Sequence, residues 1–336
     1  MTPVSIKDIA KAAGVSHSTV SRALRDSPLV ASATRGRIQQ LAHEMGYSPS
    51  SIARSLVTRR TDTVGLVVTT IADPFWGEVV HGIEEACLEA GRSLILCQSQ
   101  GEPEREVTAV RMLREKRVDA IIVAASRVGS LYLDLLTEIQ VPIVLINNQQ
   151  AGRYIYSVST DNIYGARLAT EYLIGLGHRR LAYVGGPSVA EDADRLRGFQ
   201  RALTDATLPH DPQLVTRGDG RVSGGEAGLH QLLAQPNCPT GVFCYNDMTA
   251  IGVLRACRTA GIAVPDQLSV VGYDNITLSA YVCPPLTTVA QPMHEMGRRA
   301  TDMAQTLMRG EETVENVVMP VELLVRESSA RPESGG

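Results

Sequence analysis

Residues Val4–Arg25 read VSIKDIAKAAGVSHSTVSRALR, and their spacing predicts two short helices around a tight turn at Gly14-Val15-Ser16. Ile6, Ile9, Ala10 and Ala13 recur at three- and four-residue intervals, the period of one helix face, and Gly14 permits a sharp exit from that helix. Ser16 is placed to cap a second helix starting near His17, because its hydroxyl can accept from the free N–H groups of the first turn. Along that helix Val20, Ala23 and Leu24 form a packing face with Val15 leading in, while His17, Ser18, Ser21, Arg22 and Arg25 face the other way.

A short polar helix held across another by a glycine turn is the helix-turn-helix arrangement, whose second helix enters the major groove of DNA. There an arginine bridges guanine O6 and N7, and serine or histidine donates or accepts at base edges. The competing reading is a pair of surface helices whose polar face meets only water.

At these residues the chain resembles the DNA-binding headpiece of the lactose-repressor/galactose-repressor (LacI/GalR) family of transcriptional regulators, and the likeness extends over nearly the whole sequence. The resemblance implies that His17, Ser18 and Arg22 read bases while Thr19 and Ser21 lie close to phosphates. The pair His17-Ser18 varies among family members, so the operator sequence stays open.

Outward from this segment, Ile38, Leu41, Ala42 and Met45 predict a third helix over Ser32–Met45, ended by Gly46, and residues 1–48 make a headpiece. Residues 49–61 form a linker in which Ser50–Val57 is helix-compatible but too short to be stable alone. The resemblance implies a hinge helix that folds when two copies pair over the minor groove, with Leu56 wedged between central base pairs and kinking the step. The alternative is a flexible linker with Leu56 docked on the body.

Charge is divided along the chain. Residues 1–60 carry nine Lys/Arg against three Asp/Glu, and residues 61–336 carry 23 against 33. A basic head on an acidic body suits phosphate contact at one end only.

From Thr63 onward β-rich runs alternate with helical segments: TVGLVVTTI, a helix at Phe75–Ala90, SLILCQS, a helix at Glu104–Lys116, VDAIIVAA, a helix at Leu131–Ile139, and VPIVLINN. The pattern restarts after Ser157 and runs on to LSVVGYD, Thr287–Gln291, a helix over Met293–Met308 and a strand run Val317–Val325. This is βαβ alternation with parallel sheets in two lobes. The fold class expected is an N-terminal all-α helix-turn-helix headpiece joined to a two-lobed α/β effector-binding and dimerisation domain over 62–328, similar to a type I periplasmic sugar-binding protein. Residues 329–336 are expected to be a disordered tail, and with no leucine heptad there a homodimer is expected rather than a tetramer.

Doubly wound sheets bind ligands beyond the C-terminal ends of their strands, which selects the candidate effector residues. Phe75 and Trp76 follow the first strand, where a flat ring suits stacking on a sugar face or nucleobase, or packs into the lobe as a helix start. Asn147 ends VPIVLINN and Asp161 precedes a helix; each serves a ligand or a cap or turn equally well. Arg195, in RLRGF, matches the family's ligand-binding arginine by its RxxGF spacing. Asn246, Asp247 and Asp274 match polar positions that hold ligand in relatives, with helix capping as the alternative. One departure from lactose- and purine-type relatives is Gly220, which follows Arg217-Gly218-Asp219 where they carry an aromatic; neither a galactoside nor a purine is carried over.

The enzyme class finds no support: there is no P-loop, GxGxxG after a strand, GxSxG elbow or HExxH, and His294-Glu295 is followed by Arg298 where a second zinc histidine would be needed. Six cysteines without a CxxC pair read as reduced core residues; no cofactor and no metal is expected. A transport protein would need a signal peptide and has no use for a basic helix-turn-helix. With no uninterrupted stretch of eighteen apolar residues, a cytoplasmic protein with no membrane partner is expected. The expected partners are a double-stranded palindromic operator, a second copy of the chain, and a small polar effector such as a sugar. The expected function is a repressor, or an activator or co-repressor-dependent regulator of the same architecture.

Overall fold

Asp8 closes the front of the first helix: its Oδ2 accepts from the Ser5 backbone N–H at 2.9 Å and from the Ser5 hydroxyl at 2.7 Å. Helix α1 (Ile6–Ala13) ends at Gly14, which sits at φ 67°, a left-handed conformation that any side chain would strain. Helix α2 (His17–Ala23) begins as its sequence predicts, with the Ser16 hydroxyl accepting from the Thr19 N–H at 3.2 Å. Helix α3 (Ser32–Glu44) follows. Ile9, Val20, Ala23 and Ile38 meet in the core of these three helices, each almost wholly removed from water.

The computed structural model describes residues 4–47, 60–126, 141–147, 156–187, 190–310 and 315–332. Most of the hinge segment, with Leu56, and the helix expected at Leu131–Ile139 lie outside the described residues. Contacts divide the chain into two units, Met1–Thr61 and Asp62–Gly336.

The second unit holds two six-stranded sheets. The first is built from β1 (Thr63–Val68), β2 (Ser93–Gln98), β3 (Ala120–Ala124), β4 (Ile143–Ile146), β5 (Tyr156–Thr160) and β11 (Val317–Met319), in the order β11-β5-β4-β3-β1-β2, all parallel. The second contains β6 (Leu181–Val184), β7 (Val215–Thr216), β8 (Gly241–Cys244), β9 (Ser269–Asp274), β10 (Thr287–Ala290) and β12 (Glu322–Leu324), in the order β12-β10-β9-β8-β6-β7. Only β12 runs antiparallel to its neighbour. Strands such as AIIVA and IVLI are buried along their whole length, as strands covered by helices on both faces must be.

Helices α4 (Pro74–Glu89), α5 (Pro103–Glu115) and α10 (Met293–Met308) cover the first sheet; α6 (Asn162–Gly175), α7 (Ala190–Asp205), α8 (Val222–Leu233) and α9 (Asp247–Ala260) cover the second. The chain crosses between lobes three times: after Thr160, after Ala290, and after Met319. The run expected as one strand over Val317–Val325 is broken around Pro320, a residue without an N–H for the ladder, so that β11 serves one lobe and β12 the other.

One expectation is corrected at the C-terminus. Ser329 and Ala330 are docked rather than disordered: Ala330 N–H donates to Ser269 Oγ at 3.0 Å, and the Ser329 hydroxyl meets Thr287 Oγ1 at 2.8 Å and the Tyr172 hydroxyl at 3.0 Å. The cause is Ser328, fully buried, whose Oγ accepts from the Thr287 N–H and donates to the Val270 carbonyl, which pins the chain end against β9 and β10. No described helix is long and apolar enough to cross a membrane.

Candidate functional site

The polar face of α2 is open to solvent at His17, Ser18 and Arg22, with Thr19 and Ser21 half-buried beside it. Ser16 Oγ anchors Ser18 Oγ at 2.8 Å and Thr19 Oγ1 at 2.9 Å, and Arg25 donates to Ser21 Oγ at 2.7 Å, so the hydroxyls are pre-set rather than free rotors. Ser18, Ser21, Arg22, Arg25 and Ser27 line one concavity. This is a shallow, cationic, donor-rich surface on a rigid helix, and it can hold phosphate oxygens and base edges together.

In the second unit Arg195 is the centre of the other site. It comes from α7 and is almost fully buried. Its Nε donates to Asn162 Oδ1 at 2.9 Å, one terminal nitrogen donates to the Tyr245 carbonyl at 2.5 Å, and the other lies 3.8 Å from Asp274 Oδ1. The guanidinium stacks 3.8 Å from the Tyr273 ring centre and 4.7 Å from that of Tyr245. Burial alone would lower the pKa of Arg195, but Asp274 and the surrounding phenols outweigh it and hold the side chain charged. Asp274 is pushed up by burial, with Arg195 opposing.

Asp274 is linked onward. Gln291 donates to its Oδ1 at 2.7 Å and accepts from the Thr160 hydroxyl at 2.7 Å, so one amide joins residues at the ends of β9, β10 and β5. From the first lobe, Asp73 caps α4, its carboxyl accepting from the Phe75 N–H at 3.0 Å. Burial raises the Asp73 pKa, opposed first by the Phe75 N–H bond and then by the positive charge of Arg221 in the second lobe. The site therefore carries one compensated charge pair, Arg195 with Asp274.

The structure gives the remaining candidates different places. Asn246 caps α9, its Oδ1 accepting from the Thr249 N–H and hydroxyl, while its Nδ2 donates to the Gly220 carbonyl at 3.0 Å. Asp247 is fully buried and occupied internally: its oxygens accept from the Thr288 hydroxyl at 2.5 Å and the Ile276 N–H at 2.9 Å. Burial lifts its carboxyl to about 7 against those bonds. Phe75 and Trp76 meet edge to face, centres 4.8 Å apart, inside a core cluster that also holds Ile276 and Met293. Asp161 is exposed and caps α6 through the Tyr164 N–H. Asn147 has φ 59°, and its buried Oδ1 carries no hydrogen bond among the described residues.

Sequence reasoning missed Tyr245, Tyr273, Thr160 and Gln291. Asn162 belongs to the Asp161-Asn162 pair that the sequence offers before a helix, and Tyr245 precedes the candidate Asn246. A polar residue beside each strand end was the available signal.

A family model described as bacterial regulatory proteins, lacI family, matches residues 5–50, and one described as a periplasmic binding protein-like domain matches residues 170–329. The HTH-type transcriptional repressor PurR of Photobacterium profundum is 35% identical over 327 residues, covering 96% of this chain and 98% of its own. The lac repressor dimer bound to operator and the anti-inducer ONPF superposes with a TM-score of 0.89 at 27% identity, covering 98% of this chain and 100% of that one. A complex of the transcriptional regulator CelR with cellobiose gives 0.74 at 32% identity, covering 97% and 99%.

Proposed function

The chain belongs to the lacI family of bacterial regulatory proteins, and from that premise we propose how it works: as a homodimeric, cytoplasmic repressor that releases or grips a palindromic operator according to a small polar effector in the cleft. It is a DNA-binding transcriptional regulator and not an enzyme. The α2 face reads the operator through His17, Ser18 and Arg22, with Thr19 and Ser21 at phosphates and Leu56 wedged at the centre.

The observation that carries the effector reading is the buried Arg195–Asp274 pair held against Tyr245 and Tyr273. A charge-compensated pair of donor and acceptor beside aromatic rings suits a neutral polyhydroxyl ligand, a sugar or sugar derivative, better than an anion. The CelR complex with cellobiose supports that class. Gly220 leaves the 217–220 turn without an aromatic, so the ring available for stacking is that of Tyr245, which is partly exposed, while Tyr273 is fully buried beneath Arg195.

The test is selection of binding sites from a random duplex library by the purified protein, followed by a sugar panel scored on release from, or tightening on, the enriched site. Arg22→Ala is expected to cost about 1–3 kcal/mol at its base pair and relax selectivity there, with effector binding intact. Arg195→Ala is expected to abolish the effector response with operator binding intact. Absence of any enriched palindrome, with and without the panel, would sink the reading; loss of both functions in either variant would show misfolding instead.

A further inference from the structure

We propose that His81, Glu85 and His294 form a binding site for a divalent transition-metal ion of the zinc type. His81 and Glu85 are one turn apart on α4, and His294 is the second residue of α10. His81 Nε2 lies 3.4 Å from Glu85 Oε1, and His294 Nε2 lies 2.8 Å from Glu85 Oε2. One ligand atom from each residue falls within 4.8 Å of the others. In a tetrahedral zinc site with bonds of about 2.0–2.1 Å, donor atoms sit roughly 3.3 Å apart. Small side-chain rotations therefore turn one hydrogen bond and one ion-pair contact into three metal bonds.

The donor set is chemically selective. Two imidazoles and one carboxylate suit zinc and its first-row neighbours and leave a fourth position for water; magnesium and calcium prefer oxygen alone. The imidazole rings are 5.2 Å apart, centre to centre, with both Nε2 atoms within reach of the carboxylate. All three side chains are partly exposed, so an ion can enter. The nearest opposing charge is Arg298, 3.6 Å from Glu85 Oε2, but it is held by both oxygens of Glu89 at 3.1 and 2.6 Å. His294 is brought into place by backbone packing: its carbonyl occupies the space a side chain at position 82 would fill, and only glycine there lets α4 and α10 come so close. The ligands thus come from two helices, which is why spacing along the sequence did not reveal them.

Both helices begin at the cleft, α4 after Asp73 and α10 after Gln291. A bound ion would cross-link the first turn of α10 to α4 about two to three turns along that helix, and stiffen the side of the cleft that carries Phe75 and Trp76. Zinc is then a second input to the regulator, separate from the effector.

The experiment is zinc titration of the full chain by calorimetry, with cobalt substitution read as the visible absorption of a tetrahedral centre. One ion per chain is expected for the native sequence. Glu85→Gln should weaken binding about 10- to 100-fold and His81→Ala with His294→Ala should remove it. Arg298→Met, which takes away the adjacent positive charge but no ligand, should tighten binding. Fluorescence of Trp76, the sole tryptophan, should change on zinc addition in the native chain only. Circular dichroism and operator binding verify that the variants fold. Absence of zinc binding by the native chain overturns the proposal. So does binding that survives in the double-histidine variant, which would place the ion on the exposed Cys238 or Cys283 instead.

Discussion

Asp247 shows how far a residue's chemistry can move between unfolded and folded chain. An aspartate in an unfolded chain titrates near 3.9, whereas the buried Asp247 carboxyl is lifted to about 7, first by desolvation. Between those two values the native state keeps a proton that the unfolded state has lost. The Asp247 contribution to stability is therefore complete below about pH 4 and falls as the pH rises toward 7, and Asp274, raised for the same reason, acts in the same direction. Asp247→Asn removes the titration but puts an amide N–H₂ or a mismatched oxygen against the donors Thr288 Oγ1 and Ile276 N, at a cost of about 1–3 kcal/mol. Thermal unfolding between pH 4 and 8 checks both: the variant should melt lower at pH 4 and depend less on pH, and parallel curves would sink the assignment. The sequence singles out Arg195 only through its RxxGF spacing; its buried partners Asn162, Tyr245 and Asp274 come from the fold. A carboxylate at a strand end looks the same in sequence whether it faces solvent or, as Asp247 does, the Thr288 hydroxyl of β10 and the Ile276 N–H after β9. Only the three-dimensional partners, 29 and 41 residues away, distinguish the two.

Among the elements, the helix starts were legible because they rest on local chemistry: Ser16, Asp73, Asp161 and Asn246 each accept from an N–H two or three residues on. Strand β5 was less so, since Tyr-Ser-Val-Ser-Thr carries one aliphatic residue and its place in the sheet depends on β4 and β11 beside it. The α4–α10 contact was not legible at all. Gly82 and Gly297 look like helix-weakening residues in sequence, yet a Cβ on Gly297 would collide with the Val79 carbonyl, and one on Gly82 with that of His294. Gly297→Ala would gain about 1 kcal/mol of helix propensity in isolation. Here it is expected to lose more than that, about 1–3 kcal/mol net, because the backbones must separate. Urea unfolding of the two proteins measures the difference; a variant at least as stable as the native chain would mean that the helices are not in contact.

Across the whole molecule, three chain crossings bind the lobes, and the polar relay from Thr160 through Gln291 to Asp274 sits at two of them. A relay that joins strand ends of both sheets responds to any change in the angle between lobes, and it touches the aspartate that pairs with Arg195. Gln291→Ala leaves the Thr160 hydroxyl and an Asp274 oxygen without their partner, a loss of about 1–3 kcal/mol in whichever lobe arrangement contains the relay. That energy is a bias between two states, so it should move the effector concentration giving half response by roughly 5- to 150-fold while leaving the α2 face untouched. The shift must also be reciprocal: the factor by which effector changes operator affinity equals the factor by which operator changes effector affinity, in the native chain and in the variant. Paired titrations by fluorescence anisotropy and calorimetry check this. An unchanged midpoint would place the relay outside the switching motion and leave the coupling to other contacts, such as the core cluster in which Phe75 and Trp76 meet Ile276.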